Sequence, residues 1–212
     1  MPRRKKEDAA ATRQAMLEVA RDMFSEKGIE QTSLKAISAQ AGVTHGALYW
    51  HFKNRQDMVQ AVYAEFPLHL DHIYLNQLQS ARQDPLGALK GFLVEWVLHV
   101  CNEPKAKALW KIFYLNGSRH CPEVEALEPQ LLEEQQVWLG WLKKLVKKAR
   151  KQKLIPAKPK DGDDPVAHQL MVVAFEAIHS RLNYPHLMPS NKLTGVLVEN
   201  YINGLHAQGA VR

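Results

Sequence analysis

Residues 33–52 read Ser-Leu-Lys-Ala-Ile-Ser-Ala-Gln-Ala-Gly-Val-Thr-His-Gly-Ala-Leu-Tyr-Trp-His-Phe, and this stretch decides the fold. Two hydroxyl residues, Ser33 and Thr44, can each cap a short helix, because the side-chain oxygen accepts backbone N–H groups that a helix leaves unpaired at its start. Gly42 suits the turn between the helices, and three apolar side chains can hold them together: Ile37, Val43 and Leu48. The pattern predicts a helix-turn-helix, whose second helix can enter the major groove of DNA.

The second helix begins with three residues that can reach base edges: Thr44, His45 and Gly46. Glycine costs a helix about 1 kcal/mol relative to alanine, and close approach of the backbone to DNA is a reason to accept that cost. Groups suited to phosphate follow at Tyr49, His51 and Lys53. The backbone N–H groups at both helix starts, near Ser33 and Thr44, also point at phosphate. We therefore predict that this segment contacts DNA.

Two strings of this segment carry a family resemblance. They are Thr-Ser-Leu-Lys-Ala-Ile at 32–37 and Ala-Gly-Val-Thr-His-Gly-Ala-Leu-Tyr-Trp-His-Phe-Lys-Asn-Arg-Gln-Asp-Met at 41–58. Together they closely resemble the DNA-binding signature of the TetR family of bacterial repressors. The Gly-Ala-Leu-Tyr-Trp-His-Phe-Lys-Asn part resembles most the branch that represses multidrug efflux pumps. The specific similarity covers about residues 7–65; beyond them only length, helix count and helix order agree.

The resemblance implies a role for each matching position. It implies base contacts by Thr44, His45 and Gly46, and phosphate contacts by Ser33, Tyr49, His51 and Lys53. It further implies that three residues pack or position the second helix: Leu48, Trp50 and Phe52. Many relatives carry Arg where this chain has His45, and His offers fewer donors to a guanine. The operator sequence therefore does not transfer from a relative.

The composition limits the classes of protein to which the chain can belong. The chain has 212 residues, 46% of them hydrophobic, with a formal net charge of +6. Global disorder and a membrane-spanning helix are not expected from these values. The start, Met-Pro-Arg-Arg-Lys-Lys, is not that of a signal peptide. We expect a cytoplasmic protein with reduced thiols that does not act at a membrane.

Two basic runs leave alternatives open. Arg3–Lys6 is either a solvated tail or an arm that reaches phosphate. The lysines between 143 and 153 form either a solvated helix face or a second DNA surface. No catalytic, nucleotide-binding or metal-binding fingerprint is present in the sequence. We therefore expect no enzyme activity, no cofactor and no metal.

The periodicity predicts helices nearly everywhere, about nine in all, and so an all-α protein. We predict an N-terminal helix-turn-helix domain at 1–54 and a C-terminal ligand-binding and dimerisation domain at 55–212. Helices are expected to begin at Pro85, Pro104 and Pro165. Another begins at Asn54, and Pro67 should kink or split it.

Aromatic residues with a few interspersed polar groups mark the C-terminal part: Trp96, Trp110, Phe113 and Phe175, with His99, Asn116 and His179. The same residues can equally fill a core. Together with the family resemblance they predict a pocket for a small apolar or amphipathic effector.

The last two helices show apolar residues on two faces, and the second face needs a partner. A homodimer supplies one, as the resemblance also implies. We assign the contact to one set of stripes, Leu170, Ala177, Val198, Ile202 and Leu205. The opposite stripes stay open as the alternative: Met171, Phe175, Ile178 and Leu182, with Leu193, Leu197 and Tyr201.

These features predict a dimeric repressor that a ligand releases from double-stranded operator DNA and that controls an efflux pump. The alternative is an architectural, nucleoid-associated binder of the same fold, which has no small-molecule inducer.

Overall fold

The computed structural model describes residues 2–115, 121–158 and 164–210, and the side chains of 8–115, 121–158 and 164–207. Within these ranges the chain forms helices and no strands, which confirms the all-α prediction. The helices are α1 (Pro2–Lys27), α2 (Leu34–Gln40), α3 (His45–His51), α4 (Arg55–Glu65), α5 (Leu70–Ser80), α6 (Pro85–Asn102), α7 (Pro104–Phe113), α8 (Pro122–Glu125), α9 (Glu128–Lys151), α10 (Pro165–Asn183) and α11 (Asn191–Ala210).

Proline and aspartate set several helix starts. α6, α7 and α10 begin at Pro85, Pro104 and Pro165, as predicted, because a proline in the first turn loses no hydrogen bond. The residue before two of these prolines is a capping aspartate. Asp84 accepts from the N–H of Gly87 at 2.8 Å, and Asp164 accepts from the N–H of Val166 at 3.1 Å.

The predicted interruption at Pro67 is confirmed. α4 ends at Glu65 and α5 begins at Leu70. His69, which precedes α5, has a left-handed backbone with φ 52, a conformation that few residues other than glycine adopt. The segment 66–69 therefore separates two helices, where one long helix would otherwise continue.

The predicted helix count is too low by two for the described residues. The apolar periodicity over about 122–152 predicts one helix, but the chain forms two there, α8 and α9, with a turn at Ala126 and Leu127. Pro129 explains the break, because it lies in the first turn of α9 and has no N–H with which to continue a preceding helix. The split at Pro67 gives the other extra helix.

The chain divides into two compact units. The first consists of residues 1–68 and 104–131, and the second of 69–103 and 132–212. In the first unit α1 packs against α2, α4 and α7, and α4 packs against α8. In the second unit α6 packs against α5, α10 and α11. The domain boundary predicted after Asn54 remains a prediction.

One apolar face of α6 and one of α9 form the core of the second unit. Leu89, Leu93, Trp96 and Val100 of α6 are fully inside it, as are Leu142, Leu145 and Ala149 of α9. Each Leu buried in this way contributes roughly 1.5–3 kcal/mol relative to an exposed one. This burial holds α6 at the centre of the unit.

The stripe assigned to the dimer contact is also in this core, so that assignment is wrong. The five residues, Leu170, Ala177, Val198, Ile202 and Leu205, are all buried within the unit, because α10 and α11 both turn these faces to α6. The opposite side of α11 is exposed, at Leu193 and Leu197. Val172 on α10 is exposed as well.

None of the described helices combines the length and the apolar character needed to cross a bilayer.

Candidate nucleic-acid interface

The helix-turn-helix forms as the sequence predicts. Ser33 Oγ accepts from the N–H of Ala36, and Thr44 Oγ1 accepts from the N–H of Ala47, each at 3.1 Å. Gly42 in the turn has φ +69, which glycine adopts without strain. The N–H of Val43 donates to Ser38 O at 3.0 Å and closes the turn. These local bonds fix the direction in which α3 leaves α2.

One side of α3 anchors it in the first unit. Leu48 and Phe52 are buried there, together with Ile37 of α2. Trp50 is not buried: 74% of its surface is exposed, so the packing role that the resemblance implied for it is wrong. Its ring lies edge-on to His51, at 4.5 Å between centroids. Trp50 therefore adds an exposed indole N–H donor to this helix.

The predicted contact residues lie on the exposed side of α3 and its flanks. Ser33, Thr44, His45, Gly46, Tyr49 and Lys53 are all exposed. The rings of His45 and Tyr49 pack edge to face with centroids 4.7 Å apart, so one turn of helix presents an imidazole and a phenol together. This face offers hydrogen-bond donors to bases and phosphates.

The charged side chains in and around the helix-turn-helix are all positive. Residues 31–56 contain three cations, Lys35, Lys53 and Arg55, and no Asp or Glu. Lys35 and Lys53 are exposed. A carboxylate here would repel phosphate, so its absence from the segment favours a polyanionic partner.

His51 is held differently from the other predicted contacts. It is half-buried, and burial, followed by the positive charge of Arg13, lowers the pKa of His51 below its ordinary value. The imidazole is therefore neutral at neutral pH and has one N–H to donate. The Arg13 guanidinium lies over the Phe52 ring at 5.2 Å and forms an ion pair with Glu65 at 3.8 Å.

Gly46 has no structural reason within the chain to be glycine. Its φ is not positive, and a Cβ added there would meet no atom within 4 Å. The residue lies in the first turn of α3, where alanine would be the better helix former. A side chain at this position would therefore meet no obstacle within the described part of the chain.

A second anchor follows α3 and was not found from the sequence. Arg55, the first residue of α4, donates from Nε to Glu123 Oε1 at 2.7 Å and from Nη1 to Glu30 O at 3.3 Å. Burial acts to raise the pKa of Glu123, but the hydrogen bond and charge of Arg55 outweigh it and lower that pKa. The pair joins residues 68 positions apart, which no local pattern reveals.

The predicted effector residues are distributed over both units. In the second unit Trp96 lies 5.3 Å from Trp138 and 6.1 Å from Phe175 between ring centroids. His99 faces His72 at 5.7 Å, and Nδ1 of His179 is 3.2 Å from Nδ2 of Asn183.

In the first unit Trp110 packs on Tyr114 at 4.8 Å and Phe113 on Tyr63 at 5.3 Å. Asn116 lies outside the described residues. That all these residues line one pocket remains a prediction.

The aromatic cluster of the second unit includes residues that the sequence analysis missed. Tyr74 stacks on Trp141 at 4.9 Å and meets the edge of Phe92 at 6.1 Å. It is 5% exposed, and its hydroxyl has no hydrogen-bond partner among the described residues. Burial raises the pKa of Tyr74. A buried hydroxyl without a partner costs roughly 1–3 kcal/mol, so Tyr74 has a donor to offer to a bound molecule.

Comparison with known proteins identifies the type of DNA-binding domain. The family described as "Bacterial regulatory proteins, tetR family" matches residues 16–62, which include the helix-turn-helix and parts of α1 and α4. The N-terminal part of the chain therefore carries a tetR-type DNA-binding domain.

Two curated relatives align with about half of the chain. The chain is 33% identical over 114 residues to the HTH-type transcriptional regulator AcrR of Shigella flexneri, covering 54% of this chain and 53% of AcrR. It is 38% identical over 95 residues to the HTH-type transcriptional regulator TtgR of Pseudomonas putida, covering 45% of each chain. The chain thus spans about half the length of the curated relatives it matches.

A solved structure matches almost the whole chain. It is that of NalD, the secondary repressor of the MexAB-OprM multidrug efflux pump in Pseudomonas aeruginosa. The TM-score is 0.75 at 24% identity, covering 94% of this chain and 98% of NalD. At this identity the likeness shows the fold, in which a helix-turn-helix precedes a larger helical part.

Proposed function

We propose that this protein is a tetR-type transcriptional repressor that binds operator DNA through α3. A small apolar or amphipathic effector releases it, and the regulated genes encode a multidrug efflux pump. The observation that carries the DNA-binding part is the exposed face of α3, held by two helix caps and free of acidic residues. The likeness to AcrR, TtgR and NalD supports the efflux part.

The experiment that tests DNA binding compares one phosphate contact with one base contact. Lys53→Ala should weaken binding to a selected duplex and to a scrambled duplex by the same factor, because phosphate carries no sequence information. It should also lower the slope of log affinity against log salt by about 1 for each lysine removed. His45→Ala should instead change the preferred base at one position per half-site, by about tenfold. Fluorescence anisotropy measures both.

Lys107→Ala is the matched control, because Lys107 is an exposed lysine of α7 in the same unit. It should leave both the affinity and the salt slope within about twofold of the unmodified protein. If Lys53→Ala behaves like Lys107→Ala and His45→Ala leaves the base preference unchanged, α3 and its flanks are not the DNA contact.

The effector part of the proposal is supported by the aromatic cluster of the second unit. Trp96, Trp138 and Phe175 supply apolar surface, and the Tyr74 hydroxyl supplies a buried donor. Small-molecule sites combine such a lining with a few polar groups. An effector releases DNA only if it binds the non-DNA conformation better, by about 1.4 kcal/mol for each tenfold loss of DNA affinity.

The protein acts as a homodimer in this proposal, so that two α3 helices read two half-sites about 34–36 Å apart. The exposed side of α10 and α11 supports this. Leu193, Leu197 and Tyr201 follow each other at helical spacing on α11 and are exposed or half-buried. Tyr201 Oη donates to Gln169 of α10 at 3.0 Å, which places the two helices side by side.

Leu197→Glu should therefore convert the dimer to a monomer, because the change would bury an unpaired charge in the interface. Multi-angle light scattering at micromolar concentration measures the mass. Leu75→Glu is the control, because Leu75 is an exposed leucine of α5, and it should leave the dimer intact. A monomer for the unmodified protein, or a dimer for Leu197→Glu, contradicts the assignment.

An architectural DNA-binding protein, the alternative to a repressor, differs in its response to small molecules. A binder of this kind keeps its DNA when apolar and amphipathic compounds are added, whereas the proposed repressor releases it. Titration of a labelled protein–duplex complex with a panel of such compounds, with tryptophan fluorescence followed in parallel, separates the two. Quenching without release would favour the alternative.

A further inference from the structure

A cleft of about 500 Å³ lies at the carboxyl end of α9, inside the second unit. Its lining is formed by Lys143, Lys147, Arg150, Lys151, Lys158 and Asp164. The cleft uses no residue of α3 or of the aromatic cluster, so neither the DNA contact nor the effector pocket accounts for it. Its volume is within the range of about 300–1,000 Å³ found for small-molecule sites.

Asp164 is the one carboxylate among the described residues of this lining, and it is already paired. Both guanidinium nitrogens Nη1 and Nη2 of Arg150 pair with Asp164, the second at 2.8 Å. Arg150 Nε donates to Pro156 O at 2.8 Å, and Asp164 caps α10. Arg150 and Asp164 therefore form a neutral pair in the lining, and the lysines supply the charge of the cleft.

Three of the lysines are exposed and available to a ligand. Lys147, Lys151 and Lys158 are exposed and make no ion pair among the described residues. Lys147 and Lys151 are four residues apart on one helix face, where like charges repel. A bound anion relieves that repulsion.

The helix dipole explains only part of this arrangement. Cations in the last turn of a helix are favourable because of the partial negative charge there, which accounts for Lys148, Arg150 and Lys151. Lys143 and Lys147 lie before that turn, and Lys158 comes from beyond the end of α9. The dipole of α9 does not determine the position of Lys158, because this lysine belongs to the segment that follows the helix. The approach of Lys158 to the lysine face of α9 is what marks the cleft as a site.

We propose that this cleft binds a small molecule with two or more phosphate groups. Several ammonium groups around one concavity match clustered phosphate charges, and lysine acts as a point charge toward phosphate. A volume of about 500 Å³ corresponds to a cube about 8 Å across, smaller than the roughly 12 Å width of the DNA major groove alone. The site therefore takes a soluble polyphosphate, not a duplex.

Isothermal titration of the full chain with inorganic tripolyphosphate, at constant ionic strength, tests the proposal. We expect saturable binding with one site per chain and a Kd below about 1 mM. The double variant Lys147→Gln/Lys151→Gln should weaken this binding at least tenfold. Tripolyphosphate should also raise the melting temperature of the unmodified protein more than that of the variant.

The control is Lys144→Gln/Lys148→Gln, which removes the same charge from the same helix at positions outside the lining. It should bind within about twofold of the unmodified protein. Equal losses in the two double variants would mean that only net charge matters, and would overturn the proposal, as would the absence of saturable binding. Two further results would also overturn it: retention on anionic phospholipid vesicles with no binding of tripolyphosphate, or binding of a short duplex that the lining variant alone abolishes.

Discussion

Gly46→Ala should lower the affinity for operator DNA by about tenfold or more while leaving the protein as stable as before or more stable. Within the chain the added methyl group meets no atom, and alanine improves a helix by up to about 1 kcal/mol. In the proposed complex with DNA, the same methyl group lies between the start of α3 and the base edges. Loss of a close backbone approach weakens binding, and each tenfold loss corresponds to about 1.4 kcal/mol. Thermal melting and fluorescence anisotropy on the same preparations measure the two effects.

Gly140→Ala separates the DNA effect from a general effect of helix propensity. Gly140 lies within α9, and a Cβ there also meets no atom within 4 Å. It should raise the melting temperature without changing DNA affinity. If Gly46→Ala binds DNA as well as Gly140→Ala does, the backbone of α3 does not approach DNA closely at this point.

Asp164→Ala should be the most destabilising of the changes considered, lowering the free energy of unfolding by about 4 kcal/mol. Removal of one partner of a buried ion pair costs about 3–5 kcal/mol, and both side chains are largely buried, at 14% and 10% exposed for Arg150 and Asp164. The change also removes the cap of α10. The whole free energy of unfolding of a typical domain is only about 5–15 kcal/mol. Chemical denaturation therefore resolves a loss of this size easily.

Asp84→Ala is a close control, because Asp84 also precedes a proline and caps a helix but is exposed and has no ion pair among the described residues. The change should lower the free energy of unfolding by about 1 kcal/mol, which is the usual contribution of an N-cap side chain. Similar losses for the two variants would show that the Arg150–Asp164 pair contributes nothing beyond capping.

The contribution of Asp164 should depend on pH in one direction. Burial acts to raise the pKa of Asp164, but the hydrogen bonds and charge of Arg150, with the N–H groups of Ala167 and Val166, outweigh it and hold that pKa below 3.8. Stability from this group is therefore fully present above pH 3.8 and is lost as the pH falls through the lower folded-state pKa. The difference between the unmodified protein and Asp164→Ala should be constant near neutrality and shrink only in acid.

Local chemistry allowed much of the fold to be predicted from sequence. The starts of α6, α7 and α10 depend on a proline at each position, and α3 depends on the hydroxyl of Thr44. Such signals involve neighbouring residues only, so one sequence suffices to find them. The same holds for the exposed contacts on α3, since their spacing from the buried Leu48 follows from helix geometry alone.

The features that could not be predicted from the sequence depend on packing between residues far apart in the chain. α11 has two apolar stripes, and only its packing on α6 shows that Val198 faces inward and Leu197 outward. Trp50 is apolar, yet the side of α3 that packs is already filled by Leu48 and Phe52. The Arg55–Glu123 pair and the position of Tyr74 likewise depend on residues far apart in the chain. The spacing of apolar residues identifies an apolar face of a helix, but it does not show which other element that face packs against.

The central claim is that the exposed face of α3 reads a DNA sequence. The most direct measurement selects duplexes from a random pool with the purified protein, then compares the affinity of the selected duplex with that of a scrambled one at a fixed salt concentration near 0.15 M. We expect a two-fold symmetric site bound about a thousand times more tightly than the scrambled duplex. Equal affinities for the two duplexes, or no enrichment of a symmetric site, would contradict it.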